Sequence, residues 1–446
     1  MSTSDVIRPS STAEAPLTLG EPPARTLGFR DTLGLWGNLG ISLLLPVAAV
    51  FVVLPDRPLS VTLGAVVVGA VIGALLLGAA AGAGAREGVP AMVLLRGLLG
   101  RHASWLPTAL NLVQCIGWAT FEIVIIAEAA SRVLDAPRWP FVLLAGVLAT
   151  AMALRPLGVV RVLSRYAVWA ALAAIVYLYV EVLREPLPDL TTGSATSFWT
   201  ATDIVIALPI SWFPLAADYT RHVRSGRSAA TGAALGYGLA TVAMFTLGVL
   251  ALAAYGSAGL DVVDALLAVP LGALAVLVLV VVELDEAFAN LYSTAVSAQN
   301  VVARIDRRVA AVVVGTVATL LALSFDIAAY EPFLFLIGAV FVPLIGVFLV
   351  AYALRTRAWD TSDTAPARLP LLLPWLAGFV AYQLTLPTWF GGPGAGWTTW
   401  WTDRQLDLGI DPANGWSASL VSLAVAAALT TLLLLPARLR ARRTAA

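Results

Sequence analysis

The chain has 446 residues, of which 59% are hydrophobic and only 12% are charged, whereas soluble domains are about half apolar and a quarter charged. This composition excludes an ordinary soluble protein and predicts an integral membrane protein surrounded by lipid. The 27 basic and 27 acidic residues cancel, so the net charge gives no reason to expect a nucleic acid as partner.

Hydropathy along the chain predicts an all-α protein with twelve transmembrane helices, since each span needs about 20 mostly apolar residues. The predicted spans lie near residues 33–54, 59–85, 104–134, 140–158, 162–184, 201–220, 229–255, 270–300, 309–325, 329–354, 369–390 and 415–437.

The predicted spans divide the chain into four parts. Residues 1–26 are rich in Ser, Pro, Thr and acidic residues, which predicts a disordered cytoplasmic tail that is not cleaved. Residues 27–355 contain a ten-helix core, and residues 356–437 contain two peripheral helices. Residues 438–446 form a basic cytoplasmic tail.

The distribution of arginine predicts the orientation, because positively charged loops stay in the cytoplasm. All 27 basic residues are arginines, and with both termini cytoplasmic 22 of them lie inside. The other five are Arg57, Arg132, Arg138, Arg184 and Arg404. An eleven-span or N-out arrangement would scatter this asymmetry. We therefore expect a multi-pass protein of the cell membrane with both termini cytoplasmic.

Spans one and six contain helix-breaking residues in mid-membrane. They read LWGNLGISLLLP over residues 35–46 and LPISWFPLAAD over residues 208–218. The sixth span follows the first by five spans and so crosses in the opposite direction. Two breaks at equivalent places indicate an inverted five-plus-five repeat with a site at the midplane, because unwound backbone is tolerated only where it lines a cavity or is buried. The alternative is a pair of proline kinks in packed helices.

The third span, LNLVQCIGWATFEIVIIAEAA, carries polar residues on one helical face. Gln114, Trp118 and Glu122 recur every four residues. An indole between an amide and a carboxylate suits a flat heterocycle. The alternative is that Trp118 packs in the bundle and Gln114 bonds a neighbouring helix. Carboxylates deep in a membrane usually mark a pathway, proton relay or ion partner, so Glu122 is the stronger functional candidate.

The eighth span reads ELDEAFANLYSTAVSAQN after an apolar half. Glu283, Asp285 and Glu286 fall in its middle, with Asn290 on the same face as Glu286. Three carboxylates this close cannot all stay ionised in a low dielectric unless a cation joins them, which predicts a coupling-ion site. If the span instead began near Phe288, these acids would form a solvated helix end.

Other polar residues are less specific. Asp218 and Arg221 close the sixth span and predict either an ion-paired inner gate or an interface anchor. Cys115 is the only cysteine, which excludes an internal disulfide. The sequence contains no Gly-rich phosphate loop followed by Lys, nucleophile elbow or metal-spaced histidine pair, so we expect neither an enzyme nor a bound cofactor.

Three motifs together resemble the nucleobase:cation symporter-1 family, the cytosine, purine and hydantoin permeases. They are LNLVQCIGWATFE, PISWFPLAADYTR and NLYSTAVS, and the resemblance runs from about Gly28 to the last helix. It implies a leucine-transporter-like fold of ten helices in two inverted repeats plus two peripheral helices. It also implies alternating access and cation-driven uptake of a planar base. PxSWxPLxxDYTR is most similar to the branch thought to carry hydroxymethylpyrimidine or related aminopyrimidines.

The resemblance also implies roles for individual residues. Trp118 falls on the stacking tryptophan of the family, Glu122 on a polar position that is often an amide, and Asn290 on the amide that bonds the base. The family has a second aromatic residue in the sixth span, but this sequence has Pro209 there. The expected site therefore also includes three residues of the break, namely Ser211, Trp212 and Phe213.

The coupling cation is Na⁺ in some members of that family and H⁺ in others. The break in the first span, with Gly37, Gly40 and Ile41, is expected to offer carbonyl groups to this cation. The eighth span is expected to supply its carboxylates. These residues are compatible with either ion.

Two other functions fit the same pattern. An amino-acid permease of the same fold would hold a substrate carboxylate at its half-helix N-termini, although Trp118 and Asn290 favour a flat ring. A passive channel or membrane sensor could also contain broken helices, but the sequence has no repeated filter motif.

Overall fold

The computed structural model describes residues 17–19, 23–155, 166, 168–190, 193–256, 261–389 and 395–445. Most of the predicted N-terminal tail, the end of the predicted fourth span and the start of the fifth lie outside the described residues.

The described residues are folded into helices and connecting segments, with one isolated β-bridge between Leu27 and Val223. The helices are α1 (Phe29–Leu39), α2 (Leu44–Val47), α3 (Ala49–Val52), α4 (Leu59–Glu87), α5 (Ala91–Leu94), α6 (Arg96–Leu99), α7 (Trp105–Leu134), α8 (Arg138–Leu154), α9 (Val168–Val182), α10 (Phe198–Ser211), α11 (Phe213–Thr220), α12 (Gly226–Tyr255), α13 (Val262–Ala268), α14 (Gly272–Ala298), α15 (Arg307–Ala322), α16 (Tyr330–Leu354), α17 (Leu372–Thr385), α18 (Ala395–Asp407) and α19 (Ala418–Ala445). Short 3₁₀ turns precede α16 and α17.

Six of the described helical segments are long and apolar enough to cross a membrane. They are Leu59–Glu87, Trp105–Leu134, Phe198–Thr220, Gly226–Tyr255, Ile327–Leu354 and Ala418–Pro436. The bent pair formed by α1 and α2–α3 makes a seventh span. Three shorter apolar helices lie where spans four, five and eleven were predicted. With α14 and α15 these segments account for the twelve predicted spans, so the predicted all-α membrane fold is confirmed.

The predicted break in the first span is confirmed. Helices α1 and α2 are separated by residues 40–43, and the two halves of the span meet at 49°. At this point the chain passes close to α12. A Cβ atom on Gly40 would lie 2.6 Å from Cβ of Ala240, so a larger residue here would push the break away from α12.

The break in the sixth span is shorter than the sequence suggested. Only Trp212 separates α10 from α11, and its backbone keeps right-handed helical angles, with φ −81° and ψ −13°. The prolines loosen the hydrogen bonding without unwinding the chain, because Pro214 has no N–H to donate to the carbonyl one turn earlier. The amide of Leu215 instead donates to Trp212 O at 3.0 Å.

The helices that surround the site pack closely through small residues. Helix α4 packs against α10, α11 and α12, and α7 packs against α14. Gly73 of α4 leaves room for Pro209, since an added Cβ would lie 2.8 Å from the proline ring. Likewise, a Cβ added to Gly84 would lie 2.6 Å from Cβ of Ala217. Small residues allow such close backbone approach in membranes, and here they set the position of the sixth span.

A buried aspartate joins the core to the last helix. Asp203 of α10 accepts hydrogen bonds from Ser417 Oγ at 2.5 Å, Ala418 N at 2.7 Å and Ser419 N at 3.3 Å. These amides lie at the start of α19, where backbone N–H groups lack partners within the helix. Asp203 therefore caps α19 from a different span.

The described part of the predicted disordered tail contacts the bundle. Leu17 O accepts a hydrogen bond from Gln299 Nε2 at 2.6 Å, and Ala24 O lies 3.0 Å from His222 Nδ1. The predicted basic C-terminal tail continues α19 as far as Ala445. We use the term inner face for the side of the bundle formed by the C-terminal ends of α4, α11, α14 and α16, which the arginine distribution predicts to be cytoplasmic.

Candidate functional site

A small enclosed cavity lies where the break in the first span meets α7, α10–α11, α12 and α14. Its lining contains the predicted Trp118, Glu122, Ser211, Trp212, Glu286 and Asn290, together with Ser42, Leu45, Leu208 and Tyr237. The structure thus brings residues from both broken spans and from the third and eighth spans to one place.

The cavity is narrow in this conformation. The volume available to the centre of a water molecule is about 10 Å³, which is room for about one water. A flat heterocycle is larger than this, so its binding requires the surrounding side chains to move apart.

Aromatic rings form two parts of the cavity lining. The Trp118 ring contacts Phe333 and Tyr330 edge to face, at centroid distances of 5.4 Å and 5.9 Å. Trp212 donates its Nε1–H to Tyr237 Oη at 2.8 Å. Ring contacts hold the first indole in place, and a hydrogen bond holds the second.

The predicted Glu122 lies at the cavity without a hydrogen-bond donor. Its side chain is fully buried, and neither carboxyl oxygen has a donor among the described residues. Glu283 and Glu286 of α14 are acidic neighbours that interact with it electrostatically. Two carboxylates can bond each other only if one holds a proton. A bound molecule with N–H groups could supply the missing donors instead.

Glu283 and Asp285 turn away from the cavity towards the break in the first span. Glu283 Oε1 accepts from Ser42 Oγ at 2.8 Å, and Oε2 accepts from Leu43 N at 2.5 Å. Asp285 accepts a hydrogen bond from the Asn38 amide. The break and α14 therefore meet, and in this conformation the break offers hydrogen-bond donors to the carboxylates.

The expected carbonyl ligands of a cation are not part of the cavity lining. Gly37 lies against Gly236, Gly40 lies against Tyr237 and Ala240, and Ile41 is buried in the apolar core. Within the described part of the chain, no group of three or more His, Cys, Asp or Glu residues is arranged to hold a metal ion.

Three further predicted residues lie in or behind the cavity wall. Gln114 is not in the lining, because its Nε2 donates to Ser211 O at 2.8 Å and to Asn111 Oδ1 at 3.0 Å. Ser211 donates its hydroxyl to Leu208 O at 2.6 Å, and Asn290 Nδ2 donates to Glu286 O at 3.1 Å. Gln114 thus binds a carbonyl group that the break in the sixth span leaves available.

Two expected arrangements are not formed in this conformation. Phe213 is not part of the cavity lining, and its ring packs on Phe348 with the ring centroids 5.5 Å apart. Asp218 and Arg221 form no ion pair, since no nitrogen–oxygen distance between them is within 4.0 Å. Asp218 Oδ1 instead accepts from Ala91 N at 2.9 Å, and Arg221 donates to Tyr292 Oη at 3.2 Å.

Sequence reasoning missed Tyr237, which lines the cavity from α12 and is 1% exposed. A signal was present, because its glycine neighbours Gly236 and Gly238 mark a close helix contact. Nothing in the local pattern showed that this contact faces the break in the first span.

Known proteins share this fold. Residues 25–366 match the profile of a family described as permease for cytosine/purines, uracil, thiamine, allantoin. No curated protein sequence matches the chain significantly.

Three solved structures illustrate the similarity in fold. Mhp1, a nucleobase-cation-symport-1 family transporter, in a closed conformation with bromovinylhydantoin bound, matches with a TM-score of 0.69 and 19% identity, covering 95% of this chain and 99% of that chain. Inward-facing Mhp1 matches at 0.70 and 17%, covering 99% and 96%. MhsT in complex with L-phenylalanine matches at 0.54 and 16%, covering 92% and 100%.

The family match covers most of the chain, and the structural matches extend over nearly all of it. The chain belongs to the family of permeases for cytosine/purines, uracil, thiamine and allantoin, and it is a multi-pass membrane transporter with the leucine-transporter fold rather than an enzyme.

Proposed function

We propose that this protein is a secondary active symporter that imports a flat, amino-bearing nucleobase-like heterocycle, of the cytosine, purine or hydroxymethylpyrimidine type. The observation that carries the proposal is that Trp118 and Glu122 line the same midplane cavity. The indole offers a stacking surface, and the carboxylate offers two acceptor oxygens that have no donor among the described residues.

The hydrogen-bonding groups of the cavity support an amino-bearing ring over an oxo-rich one. Glu122 and Glu286 both contribute carboxyl groups to the lining. An exocyclic amino group and a ring N–H each donate to such oxygens, whereas a ring carbonyl accepts and cannot bond a carboxylate. Asn290 has both a donor and an acceptor, and we propose that it binds the opposite edge of the base.

The same carboxyl groups argue against an amino-acid permease. An amino-acid carboxylate placed beside Glu122 and Glu286 would meet like charges in a low dielectric, which costs free energy. An enclosed cavity between two broken spans also suits a carrier with alternating access better than an open channel.

We propose that transport is coupled to Na⁺ or H⁺ at the junction between the first-span break and α14. Glu283 binds Ser42 of the break, and Asp285 binds Asn38 in the last turn of α1, so a cation or proton that changes the charge of these acids changes the attachment of the first span to α14. Asp218 and Arg221 lie at the inner end of the sixth span, and we propose that they form an ion pair in another conformation of the cycle.

We further propose that the protein lies in the cell membrane with both termini cytoplasmic, as the arginine distribution predicts. The first ten membrane spans, within residues 27–355, would form the transport core, and the last two spans, within residues 356–437, would be peripheral.

Two measurements test the proposed function. Thermal shifts of purified protein with pyrimidines, purines, hydantoins and amino acids, with and without Na⁺, identify the substrate class. Uptake of the labelled ligand into proteoliposomes against its gradient then tests coupling. We expect an amino-bearing base to be stabilising and its uptake to stop on addition of an uncoupler or removal of Na⁺. Stabilisation by amino acids alone, or uptake that never exceeds equilibrium, would refute the proposal.

A further inference from the structure

A second cavity opens at the inner face, away from the proposed substrate site. Its volume is about 670 Å³, within the range of small-molecule pockets. It lies between the described N-terminal residues Thr18, Leu19 and Pro23, the α5–α6 segment, the end of α11 and the loops that follow α14 and α16. Its lining includes Val93, Arg96, Arg221, Arg304 and Asp363. The transport function proposed above gives this cavity no ligand.

Arg221 lines this inner cavity as a buried cation without an anionic partner among the described residues. The residue is 4% exposed. Its Nη2 donates to Tyr292 Oη at 3.2 Å, while Nε has no acceptor in the described part of the chain. Asp218, three residues earlier, interacts with Arg221 only electrostatically and from beyond ion-pair distance, and its Oδ1 accepts from the amide of Ala91 at 2.9 Å. A buried guanidinium that lacks a paired anion is costly, which indicates that a ligand completes its coordination.

The charges that line the cavity do not cancel. Among the described lining residues, Arg96, Arg221 and Arg304 contribute three positive charges and Asp363 contributes one negative charge, which leaves a formal balance of +2. Asp363 is already paired, since its Oδ1 lies 2.6 Å from Arg96 Nη1 and 3.2 Å from Arg101 Nε. The positive charge available to a ligand therefore belongs to Arg221 and to the exposed Arg304.

The neighbouring histidine is consistent with this positive environment. Burial and, to a smaller extent, the charge of Arg221 together lower the pKa of His222 to about 4, against a smaller opposite effect of Ala24 O. His222 is therefore neutral at pH 7. It adds no charge to the cavity and does not compete for an anion.

We propose that this inner cavity binds a small molecule that carries a phosphate group, held by the guanidinium groups of Arg221 and Arg304. Arginine binds phosphate oxygens with paired N–H donors. A phosphate monoester carries a charge of about −1.5 to −2 at pH 7, which matches the balance of +2, whereas a carboxylate neutralises only half of it. The cavity is larger than phosphate alone, so it has room for the organic part of a phosphate ester.

The test uses full-length protein purified in an uncharged detergent and titrated with inorganic phosphate at constant ionic strength set by chloride. Binding is followed by the shift in unfolding temperature. We expect saturable stabilisation of the parent protein. Arg221→Gln should weaken phosphate binding at least tenfold, because the variant loses the charge and the paired N–H donors of the guanidinium group. Arg304→Gln should weaken it severalfold.

The matched control is Arg308→Gln. Arg308 is also an exposed arginine of the inner face, four residues beyond Arg304, but it is not part of the cavity lining. It should bind phosphate as the parent does. If Arg221→Gln does not fold, Arg304→Gln against Arg308→Gln still decides the question. Equal losses in these two variants, or no saturable stabilisation of the parent by phosphate, would overturn the proposal.

A second arm identifies the source of the phosphate group. The titration is repeated after addition of phosphatidylglycerol to the detergent micelles. Competition that disappears in Arg304→Gln assigns the site to a lipid headgroup, and the absence of competition assigns it to a soluble phosphate compound. The phosphatidylglycerol headgroup is a phosphodiester with a single negative charge, so competition by this lipid would support a site for phosphate oxygens and overturn the requirement for the second charge of a monoester. Base binding is measured in parallel, so failure of the proposed transport function is recognised separately.

Discussion

The Ser42 hydroxyl donates a hydrogen bond to Glu283 across 2.8 Å, and this bond joins the break in the first span to the middle of α14. The two residues are 241 positions apart in the chain. Because α14 also contributes Glu286 and Asn290 to the lining of the small enclosed cavity, this hydrogen bond links the break to the site.

Removing this attachment should destabilise the protein. Ser42→Ala leaves Glu283 Oε1 without its donor, and Leu44 N loses the Ser42 oxygen that it contacts at 3.1 Å. An unsatisfied buried polar group costs about 1–3 kcal/mol, so the unfolding temperature in detergent should fall. Ser362→Ala, at an exposed serine, is the control and should unfold like the parent. An unchanged unfolding temperature for Ser42→Ala would show that the bond contributes little.

Replacing the cavity tryptophan should weaken base binding without unfolding the protein. Stacking of a base on an aromatic side chain is worth about 1–3 kcal/mol, so Trp118→Ala should raise the dissociation constant roughly tenfold to a hundredfold. Trp105→Ala is the matched control, because Trp105 belongs to the same helix but is 38% exposed. Calorimetric titration with the base checks both variants. Parental affinity in Trp118→Ala would remove this residue from the site.

Glu122→Gln distinguishes two roles of the carboxyl group, recognition of the base and transfer of a proton. Gln keeps one acceptor but cannot titrate. If Glu122 carries the coupled proton, the variant should exchange labelled base across a liposome membrane but no longer accumulate it. If Glu122 recognises the amino group, binding itself should weaken. Parental affinity, pH dependence and accumulation together would show that Glu122 has neither role.

The stability of the inner face should depend on pH through His222. Its folded pKa is about 4, below the usual value of about 6.5, so between these values the unfolded chain binds more protons. Stability is then fully present above pH 6.5 and falls as the pH drops towards 4, by at most about 1.4 kcal/mol per pH unit.

His222→Asn should flatten this dependence, because Asn retains an N–H donor for Ala24 O but does not titrate in this range. His102→Asn is the control, since His102 is exposed. Unfolding temperatures are measured from pH 7 to pH 4.5. The same slope in His222→Asn and the parent would show that other groups cause the acid sensitivity.

Much of the fold could be predicted because membrane helices obey local rules. Continuous apolar segments located the spans, and the glycines and proline between Gly37 and Pro46 located the break in the first one. The four-residue spacing on α7 identified Trp118 and Glu122 as neighbours, since a helix keeps such residues on one face. The same periodicity predicted that Gln114 would join them, but Gln114 is not part of the cavity lining and donates a hydrogen bond to Ser211 O instead.

The sequence by itself determined the class of protein, its helices and the residue types able to bind a flat base. Only the tertiary structure decided which partners these residues take. Glu283 binds Ser42, Asp203 caps the last helix, and Arg221 faces an inner cavity without Asp218 as its ion-pair partner. These outcomes depend on how distant helices cross and approach. Local hydropathy and helical period specify one helix at a time and carry no information about that approach.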